Sequence, residues 1–279
     1  MKKIFEAIGF LTLILFTFFY TSKITTVIKE NDDLLKQIND IKNQYKTDPI
    51  NAIIKDDTII AGVSGSEIDV RQSYEKMKQI NLFNFNLLVY KDVKPTISVT
   101  GVFDKYIIKS NKKGVSLLFL VRANDDINSI VNILNNYQIT ATFYIDGNWF
   151  ENNNEKIIEL IDNGHTIGNL GYNNNYNVNG ISWMNTIVTK IGKQKATYCY
   201  VEQDNLEILN ICKNNKSYTI KPNIIVKSNP LITIRQKMEK GSIISLKIND
   251  STIKELPLII SYINSKDLEI VNLEELLDE

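Results

Sequence analysis

A chain of 279 residues, 43% of them hydrophobic, is long enough for one sizeable domain plus a smaller one around apolar cores. Its 32 basic and 32 acidic residues cancel, and no basic domain or stripe stands out, which argues against a nucleic-acid partner.

The N-terminus reads as a targeting segment. Lys2 and Lys3 precede an apolar run over residues 4–20 that only Glu6 interrupts. That length is near the lower limit of the ~17–25 residues a spanning helix needs. The bulky residues after the run offer no small-x-small cleavage pattern. An uncleaved signal anchor over residues 1–22 is therefore expected, with a cleaved signal peptide as the rival reading. The leading lysines stay cytoplasmic, so the expected location is the cell membrane, single-pass, with the bulk of the chain extracytoplasmic.

Residues 23–48 follow as a helical stalk. Asn31, Leu34, Ile38, Ile41 and Tyr45 recur at threes and fours. Two readings fit: a coiled-coil homodimer through residues 27–45, or one amphipathic helix packed on its own domain. Asp48-Pro49 closes the segment. Residues 50–112 read as a small α+β subdomain. It has strand-like stretches around Lys55-Asp56-Asp57, a helix over 69–80 with Val70, Tyr74 and Met77 on one face, and strands at 87–90, 96–99 and 104–108.

From residue 113 to 279 strands and helices alternate. Residues 115–121 are a continuous apolar run, as expected of a strand buried on both faces. Asn124-Asp125-Asp126 caps the next helix, and strands follow at 140–145 and from His165. Later strand–helix pairs fall at 197–201 with 205–212 and at 242–248 with 253–263; residues 268–273 read as a last strand. Such alternation predicts an α/β domain with a parallel sheet, open or closed into a barrel. Cys199 and Cys212 lie 13 positions apart. Outside the membrane such a pair invites a disulfide, worth about 3 kcal/mol in the chain-entropy model; two free buried thiols are the alternative.

Several phrases in this alternation resemble the polysaccharide deacetylase family, the NodB-homology domain of carbohydrate esterase family 4. Ala141-Thr142-Phe143-Tyr144 resembles its A-T-F-F strand, and Asp146-Gly147-Asn148-Trp149 its G-x-W continuation. Gly164-His165-Thr166-Ile167-Gly168-Asn169 resembles its G-H-E-I-G-N, and Gly241-Ser242-Ile243-Ile244 its G-S-I-I strand. The resemblance implies a distorted (β/α) barrel over residues 113–279. It also implies hydrolysis of N-acetyl groups on a peptidoglycan- or chitin-like polymer. In that chemistry one Asp and two His hold a divalent metal, usually zinc, a second Asp acts as base and a late His as acid.

This chain departs from the pattern at each of those places. Leu120 stands at the base position and Val121 at the ligand Asp; Leu170 and Asn174 stand at the two ligand histidines, and Lys247 at the acid. The third motif, near residues 196–200, lacks its Arg and Pro. A register shift onto Asp125-Asp126 would strip a helix of its cap. His165, the chain's one histidine, matches a scaffold position, and Asp146 reads as a turn residue or as a stray base. No metal and no catalytic residue are therefore expected. The expectation is a membrane-anchored pseudoenzyme that binds cell-envelope glycan or a surface protein, with Tyr144, Asp146, Trp149, Tyr172, Asn174 and Tyr176 as candidate binding residues. The alternatives are an active N-deacetylase with an atypical site and an assembly protein that dimerises through its stalk.

Overall fold

The structure, a computed structural model, describes residues 9, 11–17, 32–173, 175–192 and 194–279. Most of the expected anchor, residues 1–8, 10 and 18–22, lies outside the described residues, as do residues 23–31 of the expected stalk. Residues 11–17 are helical; among the described residues no helix is long and apolar enough to cross a membrane.

The first elements are α1 (Asp33–Ile41), β1 (Ile53–Lys55), β2 (Thr58–Ala61), β3 (Gly65–Ile68), α2 (Val70–Lys78), β4 (Tyr90–Val93), β5 (Tyr106–Ser110) and β6 (Gly114–Val121). Next come α3 (Asn128–Asn136), β7 (Thr142–Ile145), α4 (Gly147–Asn152), α5 (Asn154–Asp162), β8 (Thr166–Asn169) and α6 (Val178–Gly192). The chain continues through β9 (Tyr198–Tyr200), α7 (Leu206–Asn214), β10 (Tyr218–Ile220), β11 (Ile224–Ile225) and α8 (Pro230–Lys237). It ends with β12 (Ile243–Lys247), α9 (Asp250–Asn264), β13 (Glu269–Ile270) and α10 (Leu273–Leu277).

These elements form two compact units, one from the described residues of Met1–Asp48 with Gly65–Val93, the other from Pro49–Ser64 with Lys94–Glu279. In the smaller unit β3 and β4 pair antiparallel. The helical spacing of α1 places Leu34 and Ile38 on one side, where they are buried against Ile68 and Met77. Leu34 and Ile38, two of the seam positions a coiled coil would use, are thus buried within the unit. Asp32 starts α1: its carboxylate accepts from the Leu34 N–H, from the Tyr74 hydroxyl at 2.9 Å and from Lys78 Nζ at 2.7 Å. The Lys78 bond is the largest of the influences that hold this carboxyl down at about 2.

The larger unit is one sheet in the order β1-β2-β5-β10-β9-β8-β7-β6-β12-β11, with β13 added beside β6. All pairings are parallel except β1 with β2. A bridge between Lys109 and Ser242, with the Ser110 N–H donating to Gly241 O at 3.0 Å, brings β5 against the start of β12 and curls the sheet into a distorted barrel. The backbones are so close there that a Cβ on Gly241, at φ +75, would lie 1.7 Å from Ser110 O. Every residue of β6 is buried, and alternation sorts them. Leu118 and Leu120 join the inner cluster with Tyr144, Leu170, Tyr198 and Tyr200. Val115, Leu117, Phe119 and Val121 join the outer core beneath the helices.

Four local expectations are corrected. Residues 50–64 and 94–112 cluster with the barrel unit, because β1, β2 and β5 extend the main sheet. Residues 96–99 form no strand; the Asn51 side chain accepts from the N–H groups of Thr96 and Ile97, and Glu279 from that of Val99. The strand expected at 87–90 is instead a 3-10 turn, Phe85–Leu87, followed by β4. The last strand is only Glu269–Ile270. Asn272 then caps α10 by accepting from the Glu275 N–H.

Candidate functional site

Parallel strands collect their chemistry at their C-terminal ends, and the family's site positions fall there. The pairing registers place Lys247, Leu120, Tyr144 and Gly168 in one row across β12, β6, β7 and β8. Val121, Ile145, Asn169 and Cys199 make the next row. Beyond it the Asp146 N–H donates to Val121 O and the Leu170 N–H to Ile145 O, which sets Arg122, Asp146 and Leu170 around the mouth.

The mouth is filled with hydrocarbon and phenol. Leu120 and Leu170 are buried with Tyr144 and Tyr200 in the inner cluster, while Val121 turns to the outer core. Asn174 lies outside the described residues. Leu120, Val121 and Leu170 carry no lone pair, so the residues present at these positions do not fit a divalent metal. Among the described residues no three His, Cys, Asp or Glu side chains stand together in a way that could hold one. Lys247 is exposed at the end of β12.

The acidic candidates serve the backbone. Asp146 is fully buried and starts α4; its Oδ1 accepts from the N–H groups of Asn148 at 2.9 Å and Asn173 at 3.3 Å. Asp125 accepts from the Arg122 N–H, and Asp126 from the Asn128 N–H at the start of α3. His165 is buried outside the mouth. Its Nδ1 accepts from the Ala141 N–H at 3.1 Å, and burial pulls its pKa from 6.5 to about 4.

Two of the four expected binding aromatics, Tyr144 and Trp149, are spent on packing. Tyr144 is fully buried, and its ring lies against Gly168, where a Cβ would come within 2.5 Å of it. Burial drives its phenol well above the usual range. Trp149 packs in the outer core and donates from Nε1 to Asp125 O at 2.9 Å. Tyr172 is half-buried and donates to Glu151 at 2.8 Å. Tyr176 is half-buried and reaches across the end of the sheet, donating to Asn169 O at 2.7 Å. Its phenol, too, is raised by burial.

Sequence reasoning missed three residues of the mouth. Tyr200, pushed up to about 12 chiefly by burial, shares a 2.8 Å hydrogen bond with Ser245 of β12. The exposed Arg122 is close enough for its charge to be felt by the Tyr176 and Tyr200 phenols. Period-two alternation on β9 and β12, which turns Tyr198 and Tyr200, and Ile243 and Ser245, to one side, was the signal available. The disulfide is present: Cys199 of β9 and Cys212 of α7, both fully buried, are bonded.

Comparison with known proteins agrees with this geometry. Residues 108–217 match the polysaccharide deacetylase family profile. Bacillus subtilis (strain 168) YlxY, an uncharacterised protein, is 34% identical over 152 residues, 53% of this chain and 48% of its own. The matched stretch thus spans about half the length of that curated relative. The crystal structure of BA3943 from Bacillus anthracis, described as a CE4 family pseudoenzyme, superposes with a TM-score of 0.68 at 24% identity. It covers 89% of this chain and 96% of that one. The chitin deacetylase of Colletotrichum lindemuthianum gives 0.55 at 17% identity over 63% of this chain and 92% of its own. At such identities the likeness to the two structures is one of fold. Residues 108–217 thus carry the polysaccharide deacetylase profile on a CE4-like fold, and Leu120, Val121, Leu170 and Lys247 stand where the resemblance would put the family's chemistry.

Proposed function

We propose that this chain is a non-hydrolytic polysaccharide deacetylase-like protein, held at the outer face of a membrane, whose barrel mouth binds cell-envelope glycan. One observation supports the reading: Leu120 and Leu170, at the positions the resemblance assigns to the base and a ligand, are buried in one cluster with Tyr144 and Tyr200. A carboxylate or imidazole that is absent cannot be replaced by leucine in either proton transfer or metal binding. The exposed and half-buried rim of Arg122, Tyr172, Asn173, Asn175 and Lys247 instead offers amides, a phenol and two cations to sugar hydroxyls. The description of BA3943 as a pseudoenzyme, with a mutant described as having restored enzymatic activity, supports the view that this fold can be kept without its chemistry.

The test pairs the wild-type full chain with a variant carrying Leu120→Asp, Val121→Asp, Leu170→His and Asn174→His. Wild type is expected to show no calorimetric zinc site, to release no acetate from peptidoglycan or chitin oligomers, and to co-sediment with insoluble peptidoglycan. A stoichiometric tight zinc site or acetate release by the wild type refutes the non-hydrolytic reading, and failure to co-sediment refutes the glycan.

A further inference from the structure

We infer that a cavity on the outer wall of the barrel, between α6 and the turn from α7 to β10, binds an anionic sugar, one carrying a phosphate or a carboxylate. The site is separate from the mouth and stands whether or not the mouth is catalytic.

The cavity holds about 460 Å³, within the size range of small-ligand sites. Its walls carry three lysines, Lys190, Lys195 and Lys216, and no carboxylate. That is unusual in a chain whose charges balance: four other cavities, of about 310 to 510 Å³, each have Asp or Glu in the wall. Lys195 Nζ lies 4.0 Å from Asp278. Among the described residues neither Lys190 nor Lys216 has a carboxylate partner. Two exposed lysines lining one polar cavity whose wall holds no carboxylate are a standing attraction for an anion.

The remaining wall selects for hydroxyls over flat apolar faces. No aromatic ring lines it, so a neutral sugar finds no surface to stack on. Ser182 of α6 brings a hydroxyl, Thr186 and Thr189 bring hydroxyl oxygens that can accept while their protons go to Ser182 O and Asn185 O, each at 2.7 Å, and the floor is already fixed. Asn185 accepts from Asn169 Nδ2 at 3.0 Å and donates to Ser217 at 2.6 Å, and Ser217 is bonded in turn to Thr197 at 2.7 Å. Gln194 is pinned by both ends of its amide to the Ile167 backbone, at 2.6 and 3.1 Å. A polar floor ordered before binding lowers the entropy lost when a ligand arrives.

The test is calorimetry on the full chain in detergent with glucose 6-phosphate, glucuronate, glucose and inorganic phosphate as probes. At least one charged sugar is expected to saturate a single site whose affinity falls with added salt. Lys190→Gln with Lys216→Gln should weaken it about ten-fold or more, as loss of charged contacts does, while Lys190→Arg with Lys216→Arg keeps it. Unchanged thermal melting of both double variants establishes that the fold is retained. The inference is overturned if neither charged sugar binds, if glucose binds as tightly, if inorganic phosphate alone accounts for the whole affinity, or if the glutamine variant binds as wild type does.

Discussion

The hydroxyl of Tyr176 accepts the backbone N–H of Tyr200 at 3.0 Å, and the same hydroxyl donates to Asn169 O. β8 and β9 pair at a single register position, Asn169 with Cys199. The phenol adds the next rung of the ladder from a loop side chain. Tyr176→Phe keeps the ring and leaves a strand N–H and a strand carbonyl unmatched. The expected loss is about 1–3 kcal/mol in urea unfolding, with an unchanged m-value. A variant as stable as wild type would show that water or backbone movement satisfies both groups.

Cys199 and Cys212 close a short loop between β9 and α7 and have no exposed surface. The native protein should therefore resist thiol reagents. Unfolding in the presence of reductant should shift the urea midpoint down, by an amount equivalent to roughly 3 kcal/mol in the chain-entropy account. Equal midpoints with and without reductant would mean that the bond constrains nothing the unfolded chain would otherwise explore.

His165 makes stability depend on pH in one direction. Its folded pKa, about 4, lies below the ordinary 6.5 because burial disfavours the cation, with Glu159 opposing weakly. The unfolded chain therefore binds the proton first. Above about pH 6.5 the group contributes no pH dependence. As pH falls from there to about 4, stability declines by up to roughly 3 kcal/mol, then levels off for this residue. Unfolding free energies for wild type and His165→Gln across pH 4 to 7 isolate the effect, since carboxylates are common to both. Parallel curves would sink it.

Leu120 is buried in the inner apolar cluster. Leu120→Asp alone places an unpaired carboxylate among Leu118, Tyr144 and Tyr200. It should cost roughly 3–5 kcal/mol, or protonate to avoid that cost. In the variant substituted at 120, 121, 170 and 174, zinc at a hundred-fold excess over its Kd should restore about 2.7 kcal/mol. The melting midpoint of that variant should rise with zinc while that of wild type does not. A zinc-independent midpoint would show that the four substitutions do not assemble a zinc site.

The parts of this molecule legible in its sequence are those set by local pattern. The uninterrupted apolar run of β6 announced burial on both faces, and the departures from the family's pattern at Leu120, Val121 and Leu170 could be read off directly. The Asn272 cap with Glu275 three residues on was readable as a helix start, yet the short apolar stretch before it suggested a strand. What was not legible depends on distant partners. β5 belongs to the barrel because β10 pairs with it from more than a hundred residues away. Residues 96–99 need no strand partner because the Asn51 side chain and the Glu279 carboxylate take their N–H groups. Tyr144 and Trp149 looked like sugar platforms because sequence alone does not separate an aromatic lining a cleft from one filling a core.

The barrel closes unevenly. β12 holds β6 over five paired positions, whereas β5 meets the start of β12 only around Lys109, Ser110, Gly241 and Ser242. A cylinder joined by so short a stretch has a weak line along its length. Thermal opening should begin there, so that the Ser110 amide exchanges with deuterium well before those of β6, and a pull applied across the wall would split the molecule first at that line.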